Sequence, residues 1–258
     1  MPHSYEQYKE GYQQLFDTCV INNSKKAEID SIVDKIMSKR LRYEAVAKET
    51  GVPWEFIAIV HDMEGALNFK THLHNGDPLT ARTTHVPKGR PKKGSPPFSW
   101  EESSADVLTY VGLTKWTDWS PPGLLYCFEK YNGFGYRSRG INSPYLWSYS
   151  NHYKKGKYTM DGRYDPNAVS KQCGAVVLLK MIYEKEAAAP AVDLITQIKE
   201  LGKQVTYDPG HFHAKAKQLQ KLLNATGKKL VEDGKAGRKT SNAYFFVAGK
   251  YLKGDPKA

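Results

Sequence analysis

Apolar positions recur at helical spacing over most of the chain. Residues 5–20 and 26–49 carry this period, the second through Ile29, Ile32, Val33 and Ile36, and Gly51-Val52-Pro53 ends that segment. A third helix is predicted from Trp54 to about Leu67, with Pro53 suited to its first turn and Phe56, Ile57, Val60, Met63, Glu64 and Leu67 within one broad face. From Lys70 to Pro97 the period is lost, and a stretch rich in Gly, Pro, Thr and His reads as a long loop or a small β-hairpin lobe. Loops of that length inside a compact domain are usually functional. Helical patterning resumes at 100–112 and at 121–131, the latter opened by Pro121-Pro122, and an aromatic, turn-rich stretch then leads to a helix expected from about Pro166 to Glu186. Residues 184–194 read as a connector. Beyond it, helices are predicted at 214–224 and 240–252, separated by an Asp233-Gly234 turn, with Thr240 a candidate N-cap.

These elements predict a mainly α protein of two unequal domains, residues 1–186 and 191–258. A 40% hydrophobic and 12% aromatic composition suits a folded chain, with more Tyr and Trp than a core needs. No apolar run approaches the roughly 18 residues of a membrane span. The first residues, MPHSYEQYKEGYQQLF, lack the basic start and apolar stretch of a signal peptide, so a protein made in the cytoplasm and delivered by release or export is expected. Cys19, Cys127 and Cys173 lie far apart without a CxxC, which indicates neither a zinc site nor a disulfide framework.

The net charge of +11 favours a polyanionic partner. From residue 191 onward there are 13 Lys+Arg against 6 Asp+Glu, so seven of the eleven net charges fall in about a quarter of the chain. Nucleic acid is not the expected partner, because no recognised helix or sheet module carries the charge. Lys88, Arg90, Lys92 and Lys93, set among Pro and Gly, read as a solvated loop.

One carboxylate falls where chemistry would need it. Glu64 lies four positions after Val60 and seven after Ile57, which on a period of about 3.6 residues puts it on their side of an apolar helix, near its end. A carboxyl there loses solvation and its pKa should rise, as a general acid for a glycosidic oxygen requires. Asp77 follows thirteen residues later in an Asn75-Gly76-Asp77-Pro78 turn, either as a second carboxylate or as an ordinary turn residue, with Thr83 and Thr84 beyond it. His61, His72, His74 and His85, with Asp62 and Asp77, raise a zinc peptidase as a rival, but no HExxH exists, and no metal or other cofactor is called for. Tyr131, Tyr136, Tyr145, Trp147, Tyr149, Tyr153 and Tyr158 crowd into 28 residues, as a sugar-stacking surface or as loop packing.

The stretches VPWEFIAIVHDMEG, LHNGDPLTARTTHVPKGRP, PPFSWEESSADVL and YNGFGYRSRGINSPYLWSYSNHYKKGKY resemble the lysozyme superfamily, near goose-type lysozymes and soluble lytic transglycosylases, over roughly residues 5–185. That resemblance implies an α+β lysozyme-like fold with Glu64 as the catalytic acid. It also implies a sugar cleft beginning at Tyr131-Asn132-Gly133, water placed by Asp77 with Thr83, whose six-residue step matches the Asp and Thr that follow the acid in phage-type lysozymes, and a contact beside the acid from Tyr153; Trp147, from the aromatic cluster, is the further sugar-contact candidate. Two departures stand out: Gly65 replaces the usual Ser after the acid, and the interval from Glu64 to Asp77 is longer than in phage-type lysozymes. The run Leu219-Gln220, Leu222-Leu223, Gly227, Leu230, Asp233-Gly234, Gly237, Thr240 and Ala243 resembles the common peptidoglycan-binding domain of wall hydrolases. Together they imply a monomeric peptidoglycan hydrolase cutting the β-1,4 bond between N-acetylmuramic acid and N-acetylglucosamine. A lytic transglycosylase and a non-catalytic wall-binding protein are the alternatives.

Overall fold

The computed structural model describes residues 3–160, 162–188 and 194–258. The chain divides into two compact units, Met1–Glu184 and Lys185–Ala258. Of the expected connector 184–194, residues 189–193 lie outside the described residues, while 184–188 are the end of one helix and Leu194 the start of another. Among those residues the protein is mainly α, with eleven α-helices and one two-stranded sheet.

The first unit is built on α4 (Trp54–Gly65), whose Phe56, Ile57, Ala58, Ile59 and Val60 are all fully buried. A helix apolar on every side has to sit inside other helices. Around it pack α2 (Lys26–Ser38), α3 (Arg40–Thr50) and α6 (Pro121–Asn132), the last stacking Phe128 on Phe56 with ring centroids 4.6 Å apart. The same core takes in α8 (Ala175–Ala188) through Val176, Val177, Leu178, Leu179 and Ile182. α1 (Tyr5–Asp17) lies on α6, and α5 (Trp100–Tyr110), opened by a Ser99/Glu102 capping box, lies on α3. α7 (Pro144–Trp147) is a single turn.

Three expected elements differ. The helix expected over 26–49 is two, α2 and α3, because the Ser38 hydroxyl donates to Lys35 O and Lys39 leaves helical geometry. The helix expected from Pro166 begins only at Ala175. Asp165 Oδ1 accepts the Asn167 and Ala168 amides at 2.8 and 3.2 Å, a local turn that competes with helix. The hairpin is not at 70–97 but at β1 (Lys157–Met160) and β2 (Arg163–Asp165), antiparallel with Lys157 opposite Asp165. The 70–97 stretch holds one isolated bridge, Thr71 to Pro78, since its prolines lack the amides a ladder needs.

The second unit has its own core of Ile198, Val205, Leu219, Leu223, Tyr244 and Leu252. It comprises α9 (Leu194–Gly202), where the sequence pattern predicts no helix, with α10 (Ala214–Ala225) and α11 (Arg238–Ala248). Gln220, 2% exposed, joins its turn to both flanking helices. Its amide nitrogen donates to Asp233 Oδ1, Lys235 O and Thr240 Oγ1, and its oxygen accepts from Gly234 N at 2.8 Å. Gly234, at φ +73°, takes a backbone that favours glycine, and a Cβ there would meet Phe212 at 2.5 Å. Thr240 is not an N-cap: α11 begins at Arg238, and the Thr240 hydroxyl faces Gln220 inside the first turn.

Candidate active site

Helix α4 stops abruptly beside its last carboxylate. Ala66 and Leu67 follow at φ +46° and +58°, two consecutive non-glycine residues in the left-handed region, and their amides close the helix on Asp62 O and His61 O. Each such residue costs roughly 1–2 kcal/mol. Backbone strain of this kind concentrates at functional sites. Gly65 has a local reason: a Cβ there would lie 3.1 Å from His61 Cδ2, so a serine would press on a fully buried ring.

The Glu64 side chain keeps an open face, yet the atoms packed around its carboxyl raise its pKa by desolvation. The opposing influence is one hydrogen bond, donated by Tyr145 Oη to Oε1 at 3.0 Å. Burial, with the nearby Glu64 charge, drives both Tyr145 and Tyr131 far above the ordinary phenol range, so both stay neutral donors. The Tyr131 hydroxyl is buried and has no hydrogen-bond partner among the described residues. A partly desolvated acid with a neutral tyrosine on one oxygen is a group able to hand a proton to a bound ether oxygen.

Asp77 and Thr83 are placed differently. Asp77 is 7% exposed, and its Oδ2 accepts from Thr84 N at 2.7 Å and His85 N at 3.0 Å, while Oδ1 meets His85 Nδ1 at 2.6 Å. Thr84 Oγ1 and Asn75 Nδ2 add longer contacts at 3.3 Å. Burial raises this carboxyl, but the bonds from His85 and Thr84 outweigh it and hold it well below the ordinary range. Thr83 is used at both ends, donating to Pro87 O at 2.6 Å and accepting from Arg90 N at 3.0 Å. Their geometry is that of residues shaping a loop.

Of the expected sugar contacts, Asn132 and Gly133 line a recess of about 390 Å³ with Tyr136, Tyr158 and Thr159. Trp147 and Tyr153 do not present a face to a ligand. Trp147 is 2% exposed and edge-on to His152, and Tyr153 donates to Gly156 O while accepting from Ser170 N. Tyr145, which the sequence does not single out from its neighbours, takes the place beside the acid. Asp62, which the sequence raised only as a candidate metal ligand, is a second perturbed carboxyl. Burial raises it to about 6 against the pull of Lys35, and it lines a cleft of about 530 Å³ with Glu28, Lys35, Lys39 and Lys171.

The histidines scatter. His61 touches Tyr43, His72 lies between Ser103 Oγ and Ala81 O, and His85 caps Asp77. Among the described residues no three His, Cys, Asp or Glu side chains are grouped to hold a metal ion, and no helix is long and apolar enough to cross a membrane. The chain matches no family model, no curated protein and no solved structure.

Proposed function

We propose that the first unit cuts peptidoglycan glycan strands at the β-1,4 bond between N-acetylmuramic acid and N-acetylglucosamine, and that the second unit holds the polymer. The carrying observation is Glu64, a partly desolvated carboxyl at the end of a buried helix, with Tyr145 donating to one oxygen. A raised pKa keeps it protonated nearer neutral pH, and it delivers that proton to the leaving oxygen. The lysozyme-like resemblance of residues 5–185, and the excess positive charge from residue 191 onward, support the wall as substrate. Tethering by the second unit raises local substrate concentration without adding chemistry.

The fate of the cut end follows from the other carboxylate. An inverting hydrolase needs a base to activate water. Asp77 is a poor base, because its oxygens are occupied and its proton affinity is low. That favours the one-carboxylate route: ionised Glu64 takes the proton of the muramyl 6-hydroxyl, whose oxygen closes on C1 to give a 1,6-anhydro end. Hydrolysis, with water placed by Asp77 and Thr83, is the second reading. Digesting purified sacculi with the whole protein and with Glu64→Gln tests the proposal. Release of glycan fragments by the first and almost none by the second is expected, and equal release by both would remove Glu64 from the reaction.

A further inference from the structure

Helix α11 buries one side, through Thr240, Ser241, Ala243 and Tyr244, and turns two phenylalanines outward. Phe246 is 76% exposed and Phe245 37%. Their rings meet edge to face with centroids 6.2 Å apart, and Tyr251 stacks on Phe245 at 4.4 Å. Three contiguous rings at a surface differ from the singly scattered apolar residues that every protein exposes. Lysines surround them. The Lys228 ammonium stands 4.8 Å from the centre of the Phe246 ring and that of Lys257 5.9 Å from Tyr251, and exposed Lys250 directly precedes Tyr251. None of these three lysines takes part in an ion pair among the described residues. The acids nearest in the chain are engaged elsewhere: Asp255 is buried and accepts from Lys257 N at 2.9 Å, and Glu232 accepts from Asn224 Nδ2 at 3.2 Å.

What covers this face must offer hydrocarbon to the rings and negative charge to the lysines. Sugars and nucleic-acid bases stack on open ring faces with polar groups at the rim. Here Tyr251 takes one face of Phe245, the Lys228 ammonium stands over one face of Phe246, and phenylalanine brings no hydroxyl. A bilayer interface asks for apolar side chains that enter the acyl boundary, and for lysines whose flexible stems carry their charge back to the headgroups. The sign of the charge agrees, since the chain from residue 191 onward holds 13 Lys+Arg against 6 Asp+Glu. We propose that this face of the second unit docks on an anionic lipid surface, with Phe245 and Phe246 in the interface and Lys228, Lys250 and Lys257 against lipid phosphates. The attachment goes beyond the strand-cleavage reading and does not rest on it.

Flotation of the full-length protein with vesicles of phosphatidylglycerol, and with vesicles of phosphatidylcholine, tests this directly. The anionic vesicles should be bound at least about tenfold more tightly, and added salt should weaken that binding. Lys228→Gln should lower it about fivefold, the effect of one lysine near a charged bilayer. Phe246→Ser should lower it about tenfold through the lost burial of one ring, while the melting temperature stays near that of wild type because the ring is already exposed. Phosphatidylglycerol vesicles left unbound by wild type overturn the proposal without any variant. Anionic binding that Phe246→Ser leaves unchanged also overturns it, because charge spread over the unit would then suffice. Pelleting with purified sacculi runs in parallel. Loss of sacculus binding by Phe246→Ser, with no vesicle binding by wild type, gives the face to the wall polymer and overturns the lipid assignment.

Discussion

The end of α4 and the loop that follows it each hold a carboxylate, thirteen residues apart, and treat them in opposite ways. Glu64 is desolvated and has one hydrogen bond, from Tyr145, so its proton is held and remains available. Asp77 is more completely enclosed, yet two backbone amides and the His85 ring point at its oxygens, so its charge is fixed and occupied. Burial alone therefore does not make an acid; what decides is whether the enclosing groups donate to the ionised form. The first arrangement leaves a protonatable group open to solvent, and the second commits a charge to the shape of a loop.

The sharpest way to break this comparison is Glu64→Gln, which keeps the shape of the side chain but cannot donate a proton. Its lysis rate on sacculi should fall about 10²–10⁴-fold. Asp77→Asn should act mainly on stability, costing about 1–3 kcal/mol as acceptors of the His85 and Thr84 donors are weakened. Its digestion rate, measured well below its melting temperature, should fall far less than that of Glu64→Gln. An Asp77→Asn enzyme that melts like wild type but is inactive would reverse the assignment of the two carboxylates.

The pH dependence of stability sharpens the same contrast. Glu64 has a raised folded-state pKa, so the native state holds its proton more tightly than the unfolded chain does. Wild type should therefore lose stability relative to Glu64→Gln as pH rises from the ordinary carboxylate value through the raised one. Asp62, raised from 3.8 to about 6, adds a loss of the same sign between those values. Asp77 has the opposite sign. Its depressed folded-state pKa contributes stability that is present above the ordinary carboxylate value and lost as pH falls toward the folded one. Melting curves of wild type, Glu64→Gln and Asp77→Asn across the acid range should diverge in these two directions.

Tyr145→Phe should give the smallest effect. Its hydrogen bond favours the ionised Glu64, so removing it should move the alkaline limb of the pH–rate profile upward, with a change in rate of about fivefold. An unchanged profile would detach Tyr145 from the acid.

How much of this the sequence carries depends on the range of the contacts. The apolar run Phe56–Val60 and the turn chemistry at Gly65 are local, so α4 and the position of Glu64 at its end are legible from spacing. The Asn75-Gly76-Asp77-Pro78 turn is also local, and it favours the structural role that the hydrogen bonds describe. Tyr145 reaches Glu64 from 81 residues away, and nothing in a cluster of seven aromatic residues marks which ring will arrive there. The aromatic crowding marks Trp147 and Tyr153 as candidates, but their burial depends on packing against residues that the local pattern does not name. The polar stretch before Phe98 offers turn residues for a hairpin, whereas the strands form about sixty residues later, where Tyr158 pairs with Tyr164 across the turn at Gly162. In the second unit the Leu-Gln and Asp-Gly spacing was readable because Gln220 and its partners lie within about one turn and one helix of each other.

The most direct measurement is mass spectrometry of the new ends released from sacculi by the wild-type protein. Cleavage by Glu64 with Asp77 held in its loop predicts muramic acid ends lighter by one water than reducing ends, the mark of a 1,6-anhydro sugar. Reducing muramic acid ends would contradict the one-carboxylate route and return water activation to the site, and the absence of any new sugar end would contradict strand cleavage itself.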